Sequence, residues 1–290
     1  MKTHFIWCIS LILLMHLSCQ EQRAKKPKTV ESATSTVTDF WDKFDFKDTL
    51  AIVKPEVGEQ AVVDFIAIAA QSDPKNAADA IKTMLQRASF SPTVLNFFAE
   101  SYGKYLYDPN SPMYNETLYL AVLEFLVDEK SIPDYHRQRF QDRLTLIQRN
   151  NPGSKATNFA FQTVDGQNED LFSQQSKYIL LFFYEPGCGG CAHAIESLQP
   201  IAKVQEWIKQ GDLQILAVYA NADPNLWIDY QQYIPSLWKN VMNADRSIIA
   251  NNLYDLKASP TFYLLDEKKV VLLKDRNLGE NIGYLERFLQ

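Results

Sequence analysis

Residues 177–184 read KYILLFFY, seven apolar or aromatic side chains in a row after one lysine. Such a run has no wet face, so a strand made from it is buried on both sides. It belongs in the middle of a sheet covered on both faces. The next segment, GGCAHAIESLQPIAKVQEWIKQGD, places Ile195, Leu198, Ala202 and Ile208 on one side of a helix. A second buried strand, LQILAVYAN, follows. Strand, helix and strand in that order imply a parallel pair with a crossover.

The elements around this unit extend the sheet. Upstream, ATNFAFQTVDGQNEDLF alternates Phe159, Phe161 and Val164 and then turns at Asp165-Gly166, a β-hairpin signal. Downstream, helical stretches are expected around 224–239 and 246–256. Two strands, TFYLLDE and KVVLLKD, turn at Glu267-Lys268, and a last helix covers 280–289. The order is β-hairpin, β-α-β-α-β-β-α. The expected class is α/β with a central mixed sheet over residues 154–290.

Residues 39–150 differ in kind. EQAVVDFIAIAAQ sets Val62, Phe65, Ile66 and Ala69 at helical spacing. SDPKNAADAIKTMLQRA and SFSPTVLNFFAESYGKYLY both open on a polar residue and a proline, a helix start. NETLYLAVLEFLVDE and PDYHRQRFQDRLTLIQRN complete five or six helices of a separate all-α domain. It contains no cysteine and no cluster of metal-ligand type, so its aromatics read as core and His136 as a surface residue. The break between the domains is NNPGSK, with Pro152 and Gly153.

The N-terminus carries Lys2 and then an apolar run from Phe5 to Leu17. Thirteen residues are too few to span a bilayer, which takes about 20, and suit a signal-peptide core. The run ends at Leu17-Ser18-Cys19, which resembles the bacterial lipoprotein processing site, with His16 where an aliphatic residue is usual. The resemblance implies a signal peptide over 1–18, a lipid on Cys19 and a flexible tether over 19–38. The protein is then anchored by lipid in the bacterial cell envelope, facing the periplasm or the exterior. Net charge is −6, with no long basic run. Nothing here suits nucleic-acid binding.

The chain has four cysteines. Cys8 leaves with the signal peptide and Cys19 takes the lipid, so Cys188 and Cys191 are the only thiols of the folded part. One pair is no disulfide framework. Cys188 lies just after a buried strand and opens a helix, where unpaired N–H groups and the helix dipole favour a thiolate. Cys191 comes one turn later, in place to attack a mixed disulfide. Gly187, Gly189 and Gly190 give this loop room to turn and a substrate room to approach. A proline stands at a loop-to-strand step in Ser259-Pro260-Thr261, a natural place for a cis bond.

C-x-x-C at a strand–helix junction, followed by Ser-Pro-Thr leading into a β-hairpin, resembles the thioredoxin fold. The hairpin before the first core strand makes residues 154–290 similar to the TlpA/ResA branch, thiol–disulfide oxidoreductases of the cell envelope. The resemblance implies that Cys188 attacks, Cys191 resolves and the two form a reversible Cys188–Cys191 disulfide. Pro260 and Ser259 would hold the substrate, and no cofactor is required. Partners would be protein disulfide or dithiol substrates and an upstream electron donor or acceptor. The helical half resembles a domain of unknown function that precedes thioredoxin-like domains in bacterial lipoproteins. The chain departs from the family in Gly187 for a usual Trp, in glycines between the cysteines, and in Phe182 for the buried Asp of thioredoxins.

Rival readings of the pair remain. His193 adds a third potential metal ligand, but a zinc knuckle needs four, and Ala192 separates Cys191 from the histidine that a haem motif would require. An inert disulfide is a further reading, as is peroxide reduction. A different class is also open: an envelope binding or assembly lipoprotein that keeps the thioredoxin fold as a scaffold. Glu185 reads as a solvated loop carboxylate.

Overall fold

A computed structural model describes residues 37–289. Cys19, the expected signal peptide and nearly all of the expected tether lie outside the described residues. The first domain is built from helices α1 (Gln60–Ala69), α2 (Pro74–Ala88), α3 (Pro92–Tyr102), α4 (Glu116–Asp128) and α5 (Asp134–Gln148). Asp73 caps α2 by accepting the N–H groups of Lys75 and Asn76, and Pro74 takes the first helical position, where no N–H is needed. The expected stripe on α1, Val62, Phe65, Ile66 and Ala69, is buried. Its Phe65 joins Phe40, Trp41 and Phe98 in an aromatic cluster at ring distances of 5.0–5.6 Å. Each fully buried ring of this kind stabilises the domain by about 1.5–3 kcal/mol relative to exposure, far more than helix propensity supplies. A wide π-type turn, Gly103–Tyr107, extends α3.

The second domain contains a seven-stranded sheet. Its strands are β1 (Ala160–Thr163), β2 (Asn168–Asp170), β3 (Tyr178–Tyr184), β4 (Leu213–Tyr219), β5 (Lys239–Met242), β6 (Thr261–Asp266) and β7 (Val271–Lys274). The order across the sheet is β2-β1-β5-β4-β3-β6-β7. The β3–β4 and β4–β5 pairs are parallel; the outer pairs are antiparallel. Helices α6 (Gly189–Leu198), α7 (Ala202–Gln210), α8 (Pro224–Tyr230) and α9 (Leu278–Phe288) complete the domain. Leu180, Phe182 and Tyr184 of β3 point into one core, and Ile179, Leu181 and Phe183 into the other. Continuous apolarity at 178–184 thus has the expected outcome. The fold class is as expected too: an all-α domain followed by an α/β domain with a mixed sheet.

Three expectations are corrected. The segment after Cys188 is two helices, because Pro200 has no N–H to continue the ladder and sits between α6 and α7. Residues 224–239 are not one helix; α8 stops at Tyr230, and Lys239 begins β5. The stretch expected to be helical at 246–256 keeps one turn, Ser247–Ala250.

The two domains meet over a buried cluster of charges. Lys257, its side chain 6% exposed, donates to Glu116 Oε1 at 2.6 Å, to Asp255 Oδ2 at 2.8 Å and to the Tyr114 hydroxyl at 3.0 Å. Lys274 lies 3.3 Å from Glu116 Oε2 and donates to the Ile147 carbonyl at 2.7 Å. The linker adds main-chain ties: Asn150 Nδ2 to the Leu253 carbonyl at 2.7 Å, and Arg149 to the Asn251 carbonyl at 2.7 Å. The Lys257, Asn150 and Arg149 contacts grip the loop that leads to Pro260, while Lys274 ties the end of β7 to the helical domain.

Candidate active site

Strand β3 delivers the chain to Glu185, and the loop reverses at Gly187, whose φ of +81° favours glycine. Cys188 then stands at the N-cap of α6. Its Sγ accepts the N–H of Cys191 at 3.1 Å, the role a serine or aspartate side chain plays at other helix starts. The same Sγ lies 3.3 Å from the carbonyl oxygen of Ser259 and can donate to it as a thiol. Cys188 is half-buried, whereas Cys191, one turn on, is 0% exposed and packs in the core cluster that contains Phe182 and Phe262.

Ser259 and Pro260 face the dithiol, and the peptide bond between them is cis. Gly190 makes the approach possible. A Cβ at this position would lie 3.3 Å from Pro260 Cδ and 3.5 Å from the Ser259 oxygen. The equivalent atom at Gly189 would meet nothing within 4 Å. Cys188, Cys191, Gly187, Gly189, Gly190, Ser259 and Pro260 therefore form one neighbourhood. Both cysteines are free thiols. The pair stands as a dithiol, the reduced form of the expected couple.

The electrostatics separate the groups. Burial pushes the Cys191 thiol up, and its hydrogen bond with Cys188 adds to this; a main-chain hydrogen bond from Glu185 works the other way. Glu185 departs from its expected setting. It is half-buried, and burial raises its pKa against the opposing hydrogen bond from Asn221, whose Nδ2 donates to Oε1 at 2.6 Å. Its charge is also felt at Cys191. Tyr230 is a further neighbour that the sequence did not single out. Burial raises its hydroxyl pKa, and the two thiols act on it in the same direction. It stacks on Tyr184 at 5.6 Å. The signal for Asn221 lay in its position just beyond β4, on the same end of the sheet as Cys188, whereas Tyr230 closes α8 and is brought in by packing.

His193 is exposed on α6. Among the described residues, no group of three or more His, Cys, Asp or Glu side chains is placed to hold a metal ion. No helix among them is long and apolar enough to cross a membrane.

Both the architecture and the sequence have a relative that spans the two domains. A thioredoxin-like protein from Bacteroides caccae ATCC 43185 superposes with a TM-score of 0.82 at 35% identity, over 90% of this chain and 94% of that one. The chain belongs to the thioredoxin-like proteins. Within this thioredoxin-like protein, residues 151–282 match the Redoxin family, and residues 18–150 match a domain of unknown function (DUF5106). A conserved protein of unknown function from Bacteroides fragilis is 36% identical over 47% of this chain and 98% of its own, with a TM-score of 0.46. The C-terminal domain of an uncharacterized protein from Bacteroides fragilis NCTC 9343 is 35% identical, over 47% and 98%, with a TM-score of 0.46. No curated protein matches the chain.

Proposed function

We propose that this thioredoxin-like protein is a thiol–disulfide oxidoreductase of the bacterial cell envelope, tethered by a lipid on Cys19, with Cys188 and Cys191 as its redox couple. The observation that carries the reading is the asymmetry of the two sulfurs. Cys188 Sγ is presented at a helix N-terminus, 3.3 Å from the Ser259 carbonyl, while Cys191 is fully buried behind it. An attacking sulfur must be reachable by a protein disulfide, and a resolving sulfur must be sheltered but adjacent.

The reaction follows in two displacements. The Cys188 thiolate attacks one substrate sulfur and joins it in a mixed disulfide; the other substrate sulfur leaves as a thiolate and takes a proton. Cys191 then gives up its proton and attacks Cys188, and the second substrate sulfur leaves. Two electrons have passed to the substrate, and the protein holds a disulfide. A donor dithiol restores the couple, and the same steps run backwards oxidise a dithiol substrate. Glu185, the carboxylate whose charge is felt at Cys191, is the proposed acceptor for the Cys191 proton where Phe182 takes the place of the usual buried aspartate. Its raised pKa suits it to exchange a proton closer to neutrality than an ordinary carboxylate does. The exposed Ser259 backbone offers hydrogen-bonding groups to the substrate chain.

A redox titration tests the assignment. A reversible two-electron couple at roughly −120 to −270 mV, the range of thioredoxin-like proteins, is expected from the full chain and is lost in Cys191→Ser. A pair that does not titrate favours the scaffold reading.

A further inference from the structure

An open cleft of about 950 Å³ runs between the domains and reaches Ser259, whose carbonyl lies 3.3 Å from Cys188 Sγ. Ser259 and Glu185 line its inner end; Tyr107 and Arg143 belong to its helical wall. This volume lies at the top of the common range for small-ligand sites, about 300–1,000 Å³, and the cleft is open along its length. We propose that it is the recognition groove for the polypeptide segment flanking the substrate's cysteine, and that Arg143 selects a carboxylate in that segment. This rests on the oxidoreductase reading and assigns the helical domain a part in it.

Continuity with the site is the first argument. A substrate sulfur joined to Cys188 must carry its own chain past Ser259, and the cleft begins there. Preformation is the second. Lys257, Asp255 and Glu116 fasten the helical domain to the loop that forms the floor, so the walls are held apart at a fixed distance before any substrate arrives. Binding then costs little ordering of the protein.

The charges of the cleft supply the specificity. Glu100 pairs with Arg139, Lys104 with Glu59, and Lys257 with Asp255. Asp108 Oδ1 accepts both the main-chain and side-chain N–H groups of Asn110, and Glu185, at the inner end, accepts from Asn221 Nδ2 at 2.6 Å. Arg143 has no carboxylate within ion-pair distance among the described residues. Its guanidinium instead lies 5.1 Å over the Tyr107 ring and donates from Nη1 to the Tyr119 hydroxyl at 3.0 Å. The cation–π contact and one hydrogen bond hold the guanidinium in place, and only Nη1 is engaged in a hydrogen bond. A guanidinium held this way matches the two oxygens of a carboxylate.

Two synthetic peptide disulfides test the proposal, identical except that aspartates flank the cysteine in one and lysines in the other. The full wild-type chain is expected to reduce the acidic peptide with a kcat/KM about tenfold higher than the basic one, the scale of a single favourable ion pair at a desolvated site. Arg143→Met should bring the ratio close to one, and Arg143→Glu should invert it. Equal rates with wild type overturn the proposal, as does a preference that survives in Arg143→Glu. The wild-type comparison needs no variant and decides alone if the substitutions disturb folding. Exchange with neither peptide overturns the oxidoreductase reading itself.

Discussion

Lys257, two residues before Ser259, donates across the domain boundary to Glu116 at 2.6 Å. Glu116 also faces Lys274 at 3.3 Å, so one carboxylate serves two buried ammonium groups. The loop that faces the dithiol is thus held by the other domain.

Glu116→Gln should therefore be destabilising chiefly through Lys274, whose one carboxylate partner among the described residues is Glu116, whereas Lys257 keeps Asp255 at 2.8 Å and Asp275 at 3.5 Å. Removing one partner of a buried pair costs about 3–5 kcal/mol. Glu124→Gln breaks the Lys82–Glu124 pair, whose side chains are 42% and 40% exposed, and should cost about 0–1 kcal/mol. Urea unfolding of both variants checks the contrast. The pH dependence has a definite sign. Burial acts to raise the Glu116 pKa, but Lys257 and Lys274 outweigh it and hold the group below its ordinary value. Its stabilisation is present above the ordinary carboxylate range and lost as pH falls through its lowered folded value. Asp255, raised by burial, acts with the opposite sign. Glu116→Gln should flatten the acid limb of the stability curve, and a limb as steep as that of wild type contradicts this.

The two sulfurs should differ in reactivity. Reduced protein treated briefly with iodoacetamide should be carboxamidomethylated at Cys188, with Cys191 labelled only after unfolding. Burial shields Cys191 and raises its thiol pKa, so little thiolate is exposed to the reagent. Peptide mapping by mass spectrometry reads the result, and comparable labelling of both sites contradicts it.

Much of the fold was legible in the sequence, and the reasons are local. KYILLFFY could only be a central strand, and the prolines at 74 and 92 could only open helices. The missing pieces depend on distant partners. Lys239–Met242 is four residues long and becomes a strand by pairing with β4 and β1, a context that propensity does not contain. Cys188 and Cys191 could be read as a pair from their spacing at a strand–helix junction, and the resemblance to the thioredoxin fold implied that Ser259 and Pro260 face them. The burial of Glu185 could not, since it depends on packing and on Asn221, 36 residues away. The Lys257 cluster was hidden for the same reason: Glu116 lies 141 residues from it.

Glu185 gives a kinetic prediction. In Glu185→Gln the first attack by Cys188 should proceed, while resolution by Cys191 slows by roughly 10²-fold, the lower end of general-base effects. A carboxylate accepts a proton only when ionised. Resolution in the wild type should therefore accelerate as pH rises through the raised Glu185 pKa, and this inflection should vanish in the variant. Stopped-flow decay of a mixed disulfide with a chromogenic thiol measures it. An unchanged rate and inflection would remove Glu185 from the mechanism.

The central claim is that Cys188 is the attacking sulfur of an oxidoreductase, and the most direct measurement is insulin disulfide reduction by the full chain and by Cys188→Ser. The account predicts turnover by the reduced wild-type protein in the presence of a donor dithiol, and a background rate with the serine variant. Equal rates for the two proteins, or no wild-type turnover above the donor alone, would contradict it.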